Sequence, residues 1–205
     1  MYVPRFNAIT DETEIRALVA TIGAGDLITT GADGFPLATR LPLLWEDDRV
    51  RLHMAIANPH WRAIAAGQPG LLVVTGPEAY VSPGFYPTKA EHGRVVPTWN
   101  YSAVHLTGRL TVHTDAGWLR EQVGRLTDAM ESSRDEPWRV EDAPASYIDQ
   151  TLKAIVGVEL VVERVEGKAK LSQNRSDEDR AGVIGGLRAT GTARDAAVAN
   201  AMERP

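Results

Sequence analysis

Cysteine is absent from the 205 residues of the sequence. Its absence excludes disulfide bonds, thiolate nucleophiles and iron–sulfur clusters, and it is compatible with a reducing cytoplasm. Long apolar runs are missing as well, because stretches such as residues 71–74 are far too short to span a bilayer. A secretion signal is also missing, since Asp11, Glu12 and Glu14 follow the first residue closely. We therefore expect a soluble cytoplasmic protein with no membrane attachment.

Positive charge and the common catalytic motifs are also scarce. The sequence has 22 Lys and Arg against 27 Asp and Glu, so a nucleic-acid surface would have to be a local patch on an acidic body. Gly-x-x-x-x-Gly-Lys, Gly-x-Gly-x-x-Gly and Gly-x-Ser-x-Gly do not occur, which excludes P-loop, Rossmann and hydrolase-elbow sites. His105 and His113 share a strand face but lie about 27 Å apart in an extended strand. His53 and His60 lack helical spacing, so we expect no metal site.

Alternation of apolar and polar residues predicts the strands. Val50, Leu52 and Met54 alternate with polar residues over 49–55, which places His53 on the face opposite the core. The same reasoning predicts a hairpin and three further strands. These are 25–31 with 35–44 (Phe35, Leu37, Leu41 and Leu43 inward, Arg40 opposite), 71–75, 103–113 with Gly108 at a bend or bulge, and 155–165.

Cap residues and apolar stripes predict helices around these strands. The helices span 11–23, 58–67, 115–132 and 145–153, and Ser176 caps a further short one. We expect the segment from Thr190 to fray. Since strands and helices do not alternate regularly, we predict a mainly β fold, an antiparallel β-barrel with peripheral helices. One domain, 1–188, is expected to precede a tail, 189–205.

The strand that ends at Ala55 leads into a capped helix start. Asn58 occupies an N-cap position and Pro59 the first helical position, where its missing N–H costs nothing. The N–H groups of His60 and Trp61 are then expected to point outward, where they and the helix dipole suit an anionic group. For this segment alone, a purely structural role, with Asn58 capping its own helix and Trp61 packing, is the simpler explanation.

Two further segments carry unusual side chains. Residues 95–101 place two aromatic residues on one side and two polar residues on the other, namely Trp99 and Tyr101, then Thr98 and Asn100. Residues 168–175 leave the last strand with many hydrogen-bond donors and few acids. Taken alone, the first segment suits a core or a dimer interface and the second a solvated basic turn. Together they offer the stacking surface, amides and cations that a planar heterocycle carrying a phosphate needs.

Five segments occur in order along the chain: MYVPRF (1–6), HMAIANPHW (53–61), YVSPGFYPTK (80–89), VPTWNY (96–101) and KLSQN (170–174). Together they resemble the PaiB-type family of FMN-binding negative transcriptional regulators, and the resemblance extends to about Arg188. It implies a split β-barrel similar to the pyridoxamine-phosphate oxidase and flavin-reductase barrels. It also implies a domain-sharing homodimer with FMN in the groove between the subunits.

The resemblance and the capped helix start together suggest where FMN binds. The residues expected around the phosphate are Asn58, His60 and Trp61, with Arg40 or Lys170 as further candidates. The pyrimidine edge of the isoalloxazine ring is expected against the backbone of His53, Met54 and Ala55. The residues expected from the partner subunit are Thr98, Trp99, Asn100 and Tyr101, with Ser172, Gln173 and Asn174 closing the pocket.

Three functions are compatible with such a protein. The family name implies a repressor, yet no convincing helix-turn-helix is visible near 146–153 and the acidic charge counts against direct DNA binding. An FMN-dependent oxidoreductase that passes electrons from a nicotinamide to a small acceptor is the second. A flavin or haem binding module without turnover is the third. An enzyme needs open space with polar groups over the flavin, whereas a regulator needs a basic patch on the dimer.

Overall fold

The computed structural model describes residues 1–203, which contain strands, α-helices and short three-ten helices. The strands are β1 Ala8–Ile9, β2 Ala24–Thr30, β3 Pro36–Glu46, β4 Arg49–Ala55, β5 Pro69–Val81, β6 Thr98–His113 and β7 Ile155–Lys170. The α-helices are α1 Glu12–Ile22, α2 Lys89–His92, α3 Ala116–Glu131, α4 Ala145–Leu152, α5 Asp177–Ala189 and α6 Ala193–Glu203. The three-ten helices are Arg5–Asn7, Pro59–Ala63, Pro83–Phe85 and Val140–Asp142.

The strands form one sheet of 7 strands in the order β1, β7, β4, β3, β2, β5, β6. The pairs β1–β7, β4–β7, β3–β4, β2–β3 and β2–β5 are antiparallel. Because β7 also pairs with β6, strands β2 to β7 close into a ring. The predicted mainly β, antiparallel architecture with peripheral helices is confirmed.

The chain divides into two compact units, each described by itself below. Unit 1 comprises Met1–Ile15, Thr75–Val104 and Glu166–Pro205, and unit 2 comprises Arg16–Val74 and His105–Val165. Strands β5, β6 and β7 each contain residues of both units. The predicted tail from residue 189 falls within unit 1.

The core of unit 2 follows from the alternation of apolar side chains. Val50, Leu52 and Met54 of β4 are buried, as predicted, and they alternate with exposed or half-buried polar residues. Phe35 was expected to point inward, and this prediction is wrong because its side chain is 71% exposed. Phe35 precedes β3 and belongs to the turn after β2, where its N–H donates to Asp33 Oδ1 at 3.1 Å and its carbonyl accepts the N–H of Gly31 at 2.7 Å.

Unit 1 has its own core under the last two helices. Val183 and Leu187 of α5 are fully buried with Val198 and Ala199 of α6, and Met202 joins them. The prediction that the chain frays after Thr190 is therefore wrong. Helix α6 is rich in alanine and has little amphipathic pattern of its own, but its small side chains pack closely against α5.

Strands β5, β6 and β7 are longer than the local pattern predicts. β6 begins at Thr98 and β7 continues to Lys170, so residues 98–101 and 168–170 of the two segments that were expected to flank strands lie inside them. The extension of β7 follows from pairing with β1, which places Ala8 opposite Lys168. Such pairing partners are distant in sequence, and a local pattern does not contain them.

Gly108 marks the closest approach of β6 to β7. A Cβ atom at this position would lie 1.8 Å from the carbonyl oxygen of Val161. The predicted bend or bulge at Gly108 is in this structure a site of close backbone contact, which only a glycine permits. Closure of the ring in unit 2 therefore depends on the missing side chain.

We predict that Gly108→Ala destabilises the fold by about 2 kcal/mol or more, because the added methyl group forces two paired backbones apart. Chemical denaturation of the purified protein measures this change in the free energy of unfolding. Gly124→Ala is the matched control, since a Cβ atom there meets nothing within 4 Å on helix α3. The control is expected to be neutral or stabilising by about 0.5–1 kcal/mol. Equal effects of the two substitutions would contradict the close contact.

Candidate functional site

Strands β3 and β4 of unit 2 separate at Pro42. Their ladder runs from Glu46 opposite Arg49 to Leu43 opposite Leu52, and it ends there. The next position of β3 is Pro42, which has no N–H to donate to the carbonyl of His53. Strand β4 nevertheless continues along β7 as far as Ala55. The two strands thus leave a split with exposed backbone groups on both sides.

Hydrogen bonds at the ends of the ladders show which backbone groups face the split. Val162 donates its N–H to Asp48 O (2.7 Å), and Ile56 donates to Ala154 O (2.8 Å), so even-numbered residues of β4 bond to β7. The carbonyl of His53 and the N–H of Ala55 therefore point to the opposite side. Leu43 donates to Gly23 O (3.0 Å) in the same way, which turns the backbone of Arg40 toward the split.

The two residues before Ala55 have different surroundings. Met54 belongs to the core, since its side chain is buried and its backbone faces β7. The contact of the Met54 backbone with the flavin edge stays a prediction. His53 is half-buried, and its Nδ1 is buried without a hydrogen-bond partner among residues 1–203. Burial lowers the pKa of His53, which favours a neutral ring.

The capped turn after β4 is shorter than predicted. Asn58 is the N-cap, but the helix is a three-ten helix of 5 residues, Pro59–Ala63, rather than a helix to Gly67. Asn58 Oδ1 accepts the N–H of His60 at 3.0 Å, and Asn58 Nδ2 donates to Thr39 Oγ1 at 3.4 Å. The prediction that the His60 N–H is free for an anion is wrong, because the cap itself uses this donor.

His60 anchors this turn to the β2–β3 hairpin. Its side chain is 3% exposed, with Nε2 at 2.9 Å from Thr29 Oγ1 and Nδ1 at 2.8 Å from Thr39 Oγ1. Burial lowers the pKa of His60, so the ring is held neutral, with one nitrogen as donor and the other as acceptor. Both ring nitrogens are occupied, and His60 therefore positions Thr39 and Asn58 rather than supplying a charge.

The remaining predicted residues of this region are also engaged. Trp61 donates its indole N–H to Ile56 O at 2.9 Å, and the Arg62 guanidinium lies 4.7 Å from the centroid of its ring. Arg40 forms an ion pair of 3.1 Å with Asp26. A cavity of about 450 Å³ opens beside Thr39, Asn58 and His60; its other lining residues are Gly31, Ala32, Asp33, Leu37, Ala38, Pro59 and Ala63. Its one charged lining residue within the described chain is thus an acid.

A second cavity, of about 350 Å³, lies in unit 1 at the start of β6 and the end of β7. We call it the unit 1 cavity. Its lining residues are Tyr2, Pro4, Phe6, Asn7, Val96, Pro97, Thr98, Asn100, Lys168, Lys170, Ser172, Asn174 and Arg175. It gathers five of the predicted site residues in one place, namely Thr98, Asn100, Lys170, Ser172 and Asn174.

Two lysines of β7 shape one wall of the unit 1 cavity. Lys168 is buried, and its ammonium donates to Tyr2 O at 3.0 Å and lies 5.0 Å from the centroid of the Tyr101 ring. The Lys170 ammonium donates to Thr98 Oγ1 and, at 2.8 Å, to Trp99 O. Burial lowers the pKa of Lys170; Tyr101 raises it and the charge of Lys168 lowers it further.

Buried amide and hydroxyl groups form the floor of the unit 1 cavity. Asn100 is 0% exposed and donates from Nδ2 to Ser172 Oγ at 3.0 Å. Ser172 adopts a left-handed backbone conformation (φ 62°) at the end of β7. Gln173 bonds within its own turn, accepting the N–H of Leu171 at 2.7 Å, so it stabilises the turn rather than the cavity.

Trp99 lies outside the cavity lining, on the surface of unit 1. Its indole N–H donates to Glu78 Oε2 at 3.2 Å, and the Arg194 guanidinium lies 5.1 Å from the centroid of its ring. The exposed face of Trp99 is therefore a stacking surface held in place by two charged neighbours.

The predicted site residues thus fall into two groups, one in each unit. Arg40, His53, Met54, Ala55, Asn58, His60 and Trp61 belong to unit 2, and the others lie in or beside the unit 1 cavity. The predicted site did not include Lys168, Arg175 or Asn7, although Lys168 and Arg175 belong to the donor-rich segment 168–175 noted in the sequence. Lys168 and Lys170 are two residues apart, and this spacing would have placed both on one face had the strand been expected to reach them.

No group of three or more His, Cys, Asp or Glu side chains within residues 1–203 is placed to hold a metal ion. No helix in the same range is long and apolar enough to cross a membrane.

The chain matches a family model described as "Putative FMN-binding domain" over residues 1–164. It is 35% identical over 188 residues to protease synthase and sporulation protein PAI 2 of Bacillus subtilis, covering 90% of this chain and 87% of the relative.

Among solved structures, the FAD and heme binding protein of Mycobacterium smegmatis has a TM-score of 0.62 at 21% identity, over 85% of this chain and 79% of that chain. The flavocytochrome Anf3 of Azotobacter vinelandii has a TM-score of 0.60 at 21% identity, over 88% and 78%. At 21% identity, these two likenesses show a shared fold and nothing about function. The family match and the Bacillus relative establish more: the chain belongs to the FMN-binding family of PaiB-type proteins, and FMN is the cofactor of that family.

Proposed function

We propose that the chain binds FMN with the pyrimidine edge of the flavin in the split between β3 and β4. The observation that carries this proposal is the end of the ladder at Pro42, which leaves the carbonyl of His53 and the N–H of Ala55 without partners in β3. A pyrimidine edge alternates N–H and C=O groups, so one acceptor and one donor on the same strand edge suit it.

The bound flavin would supply a carrier of two electrons, and the protein would supply its orientation. In this proposal Ala55 and His53 hold the ring edge, while Asn58 and His60 keep the following turn against Thr39. Arg40 contributes its backbone at the split, since its side chain is paired with Asp26.

We further propose that a homodimer completes the site, with Trp99 and Tyr101 of one subunit closing over the flavin of the other. Large apolar side chains on the surface of unit 1 support an interface. Tyr2 is 81% exposed, Phe6 58% and Trp99 40%. A folded monomer rarely leaves several such residues close together without a partner.

The biological role that we propose is regulatory, as the resemblance to the PaiB-type family of FMN-binding negative transcriptional regulators implies. A helix pair is one candidate for direct DNA contact. Helices α5 and α6 form such a pair, joined by a turn at Gly191. Arg188 pairs with Glu203 at 2.6 Å and Arg194 with Glu78 at 2.7 Å, while Arg180 donates to Met202 O at 2.6 Å. Neutralised arginines attract DNA phosphates little, which supports an indirect effect on transcription.

An FMN-dependent oxidoreductase is the second candidate, and one observation favours it. The cavity of about 450 Å³ borders Thr39 and Asn58 next to the split. Open space lined by a few polar groups beside a flavin could admit a small acceptor.

We predict that Asn58→Ala costs about 1 kcal/mol of stability and weakens FMN binding about fivefold, because the turn at Pro59 loses its cap and its link to Thr39. Fluorescence titration with FMN measures the affinity. Ser82→Ala is the matched control, since Ser82 caps the three-ten helix Pro83–Phe85 in the same way in unit 1. Unchanged FMN affinity in a folded Asn58→Ala protein would exclude this turn from the site.

We predict that the FMN-loaded protein keeps its visible flavin spectrum when NADH or NADPH is added anaerobically. A regulator has no need to accept a hydride, whereas an oxidoreductase must do so to turn over. Absorbance spectroscopy in a sealed cuvette measures the outcome. Rapid bleaching of the flavin would favour the oxidoreductase, and a protein that binds no FMN would overturn both candidates.

A further inference from the structure

The unit 1 cavity concentrates positive charge without a counter-charge. Lys168, Lys170 and Arg175 line it, and none of them forms an ion pair within residues 1–203. By alternation, Glu166 lies on the same strand face as the two lysines. Its Oε1 forms an ion pair of 2.8 Å with the N-terminal ammonium of Met1. The acid of this strand face is therefore already engaged outside the cavity lining.

The three cations keep unused hydrogen-bond donors. An ammonium group has three donors, of which Lys168 uses one on Tyr2 O and Lys170 uses two. The Arg175 guanidinium lies 4.8 Å from the centroid of the Tyr86 ring and donates to no side chain or carbonyl in the described part of the chain. The cavity thus offers donors from three charged groups at once.

Burial makes this arrangement unfavourable as long as no anion is present. Like charges in a partly desolvated cavity repel, and an opposite charge placed between them would relieve the repulsion. Several other cations of the molecule are neutralised by acids: Arg49 pairs with Glu159 at 2.7 Å and Arg125 with Glu46 at 2.6 Å. The absence of an acid in the unit 1 cavity is thus a local property that favours an anionic ligand.

Neutral groups add directional contacts to the charge. Asn174 and Thr98 line the same cavity, and buried Asn100 and Ser172 fix its floor. Phosphate oxygens accept several hydrogen bonds at once, and lysine and arginine are their usual partners in proteins. The volume of about 350 Å³ is that of a small-molecule site.

We propose that the unit 1 cavity binds a phosphate monoester through Lys168, Lys170 and Arg175. This site goes beyond the flavin proposal, which rests on the split of unit 2. Two sources of the group share this chemistry: the phosphate of FMN and a separate phosphorylated small molecule.

The test is calorimetric titration of the flavin-free protein with inorganic phosphate. Lys170→Gln and Arg175→Gln are each expected to weaken phosphate binding about tenfold, because each removes a charged donor. Lys89→Gln is the control, since Lys89 is exposed in the same unit and does not line the cavity. Circular dichroism checks that each variant is folded, and Arg175→Gln serves alone should Lys170→Gln not fold.

Titrations with FMN and riboflavin then distinguish the two sources. If the FMN phosphate occupies the cavity, Lys170→Gln lowers the affinity for FMN but not for riboflavin, and phosphate does not bind the FMN-saturated protein. If a separate molecule is the ligand, phosphate binds the FMN-saturated protein with the same dependence on Lys170.

Two results would overturn the proposal: wild-type protein that binds no phosphate, or binding that neither Lys170→Gln nor Arg175→Gln weakens. A protein that binds phosphate in the cavity but binds neither flavin would refute the flavin proposal and leave this one intact.

Discussion

The pairing of β6 with β7 is the constraint on which both units depend. In unit 2 it brings the backbone of Gly108 against Val161, and this contact closes the ring of strands. In unit 1 the same strands place Asn100 beside Ser172 and Thr98 beside Lys170. A change that separates the strands would therefore open the barrel and dismantle the unit 1 cavity. Ring closure and the position of the cations are set by one ladder.

The split between β3 and β4 has the opposite origin, because it exists where a ladder stops. The pairing of β3 with β4 ends before Pro42. Strand β4 continues along β7, and its edge toward β3 is unpaired from there on. Unpaired backbone groups are unfavourable in a closed sheet unless water or a ligand bonds to them. The neutral His60, held by Thr29 and Thr39, keeps the adjoining turn in place. The proposed flavin site is thus built from backbone groups and buried neutral side chains, and the cations lie in the unit 1 cavity.

Sequence patterns predicted the elements with regular alternation and clear caps, such as β4, α3 and the Asn58 turn. They failed where long-range packing decides the outcome. The pairing of Ala8 with Lys168 extends β7, and burial against α5 orders the alanine-rich α6. They also predicted that His60 could contribute charge near Asn58. The sequence does not reveal that both ring nitrogens of His60 are hydrogen-bonded. Lys168 and Lys170 both lay beyond the predicted strand 155–165, so their shared strand face could not be predicted.

Hydrogen–deuterium exchange with and without FMN tests the central claim most directly. The account predicts that FMN slows exchange of the backbone N–H groups of Ala55 and Arg40, which face the split and have no partner across it. The N–H of Val50, which is inside the ladder and buried, should exchange slowly in both states and serves as the internal reference. Protection that appears elsewhere in the chain while Ala55 and Arg40 remain unchanged would contradict the placement of the flavin in the split.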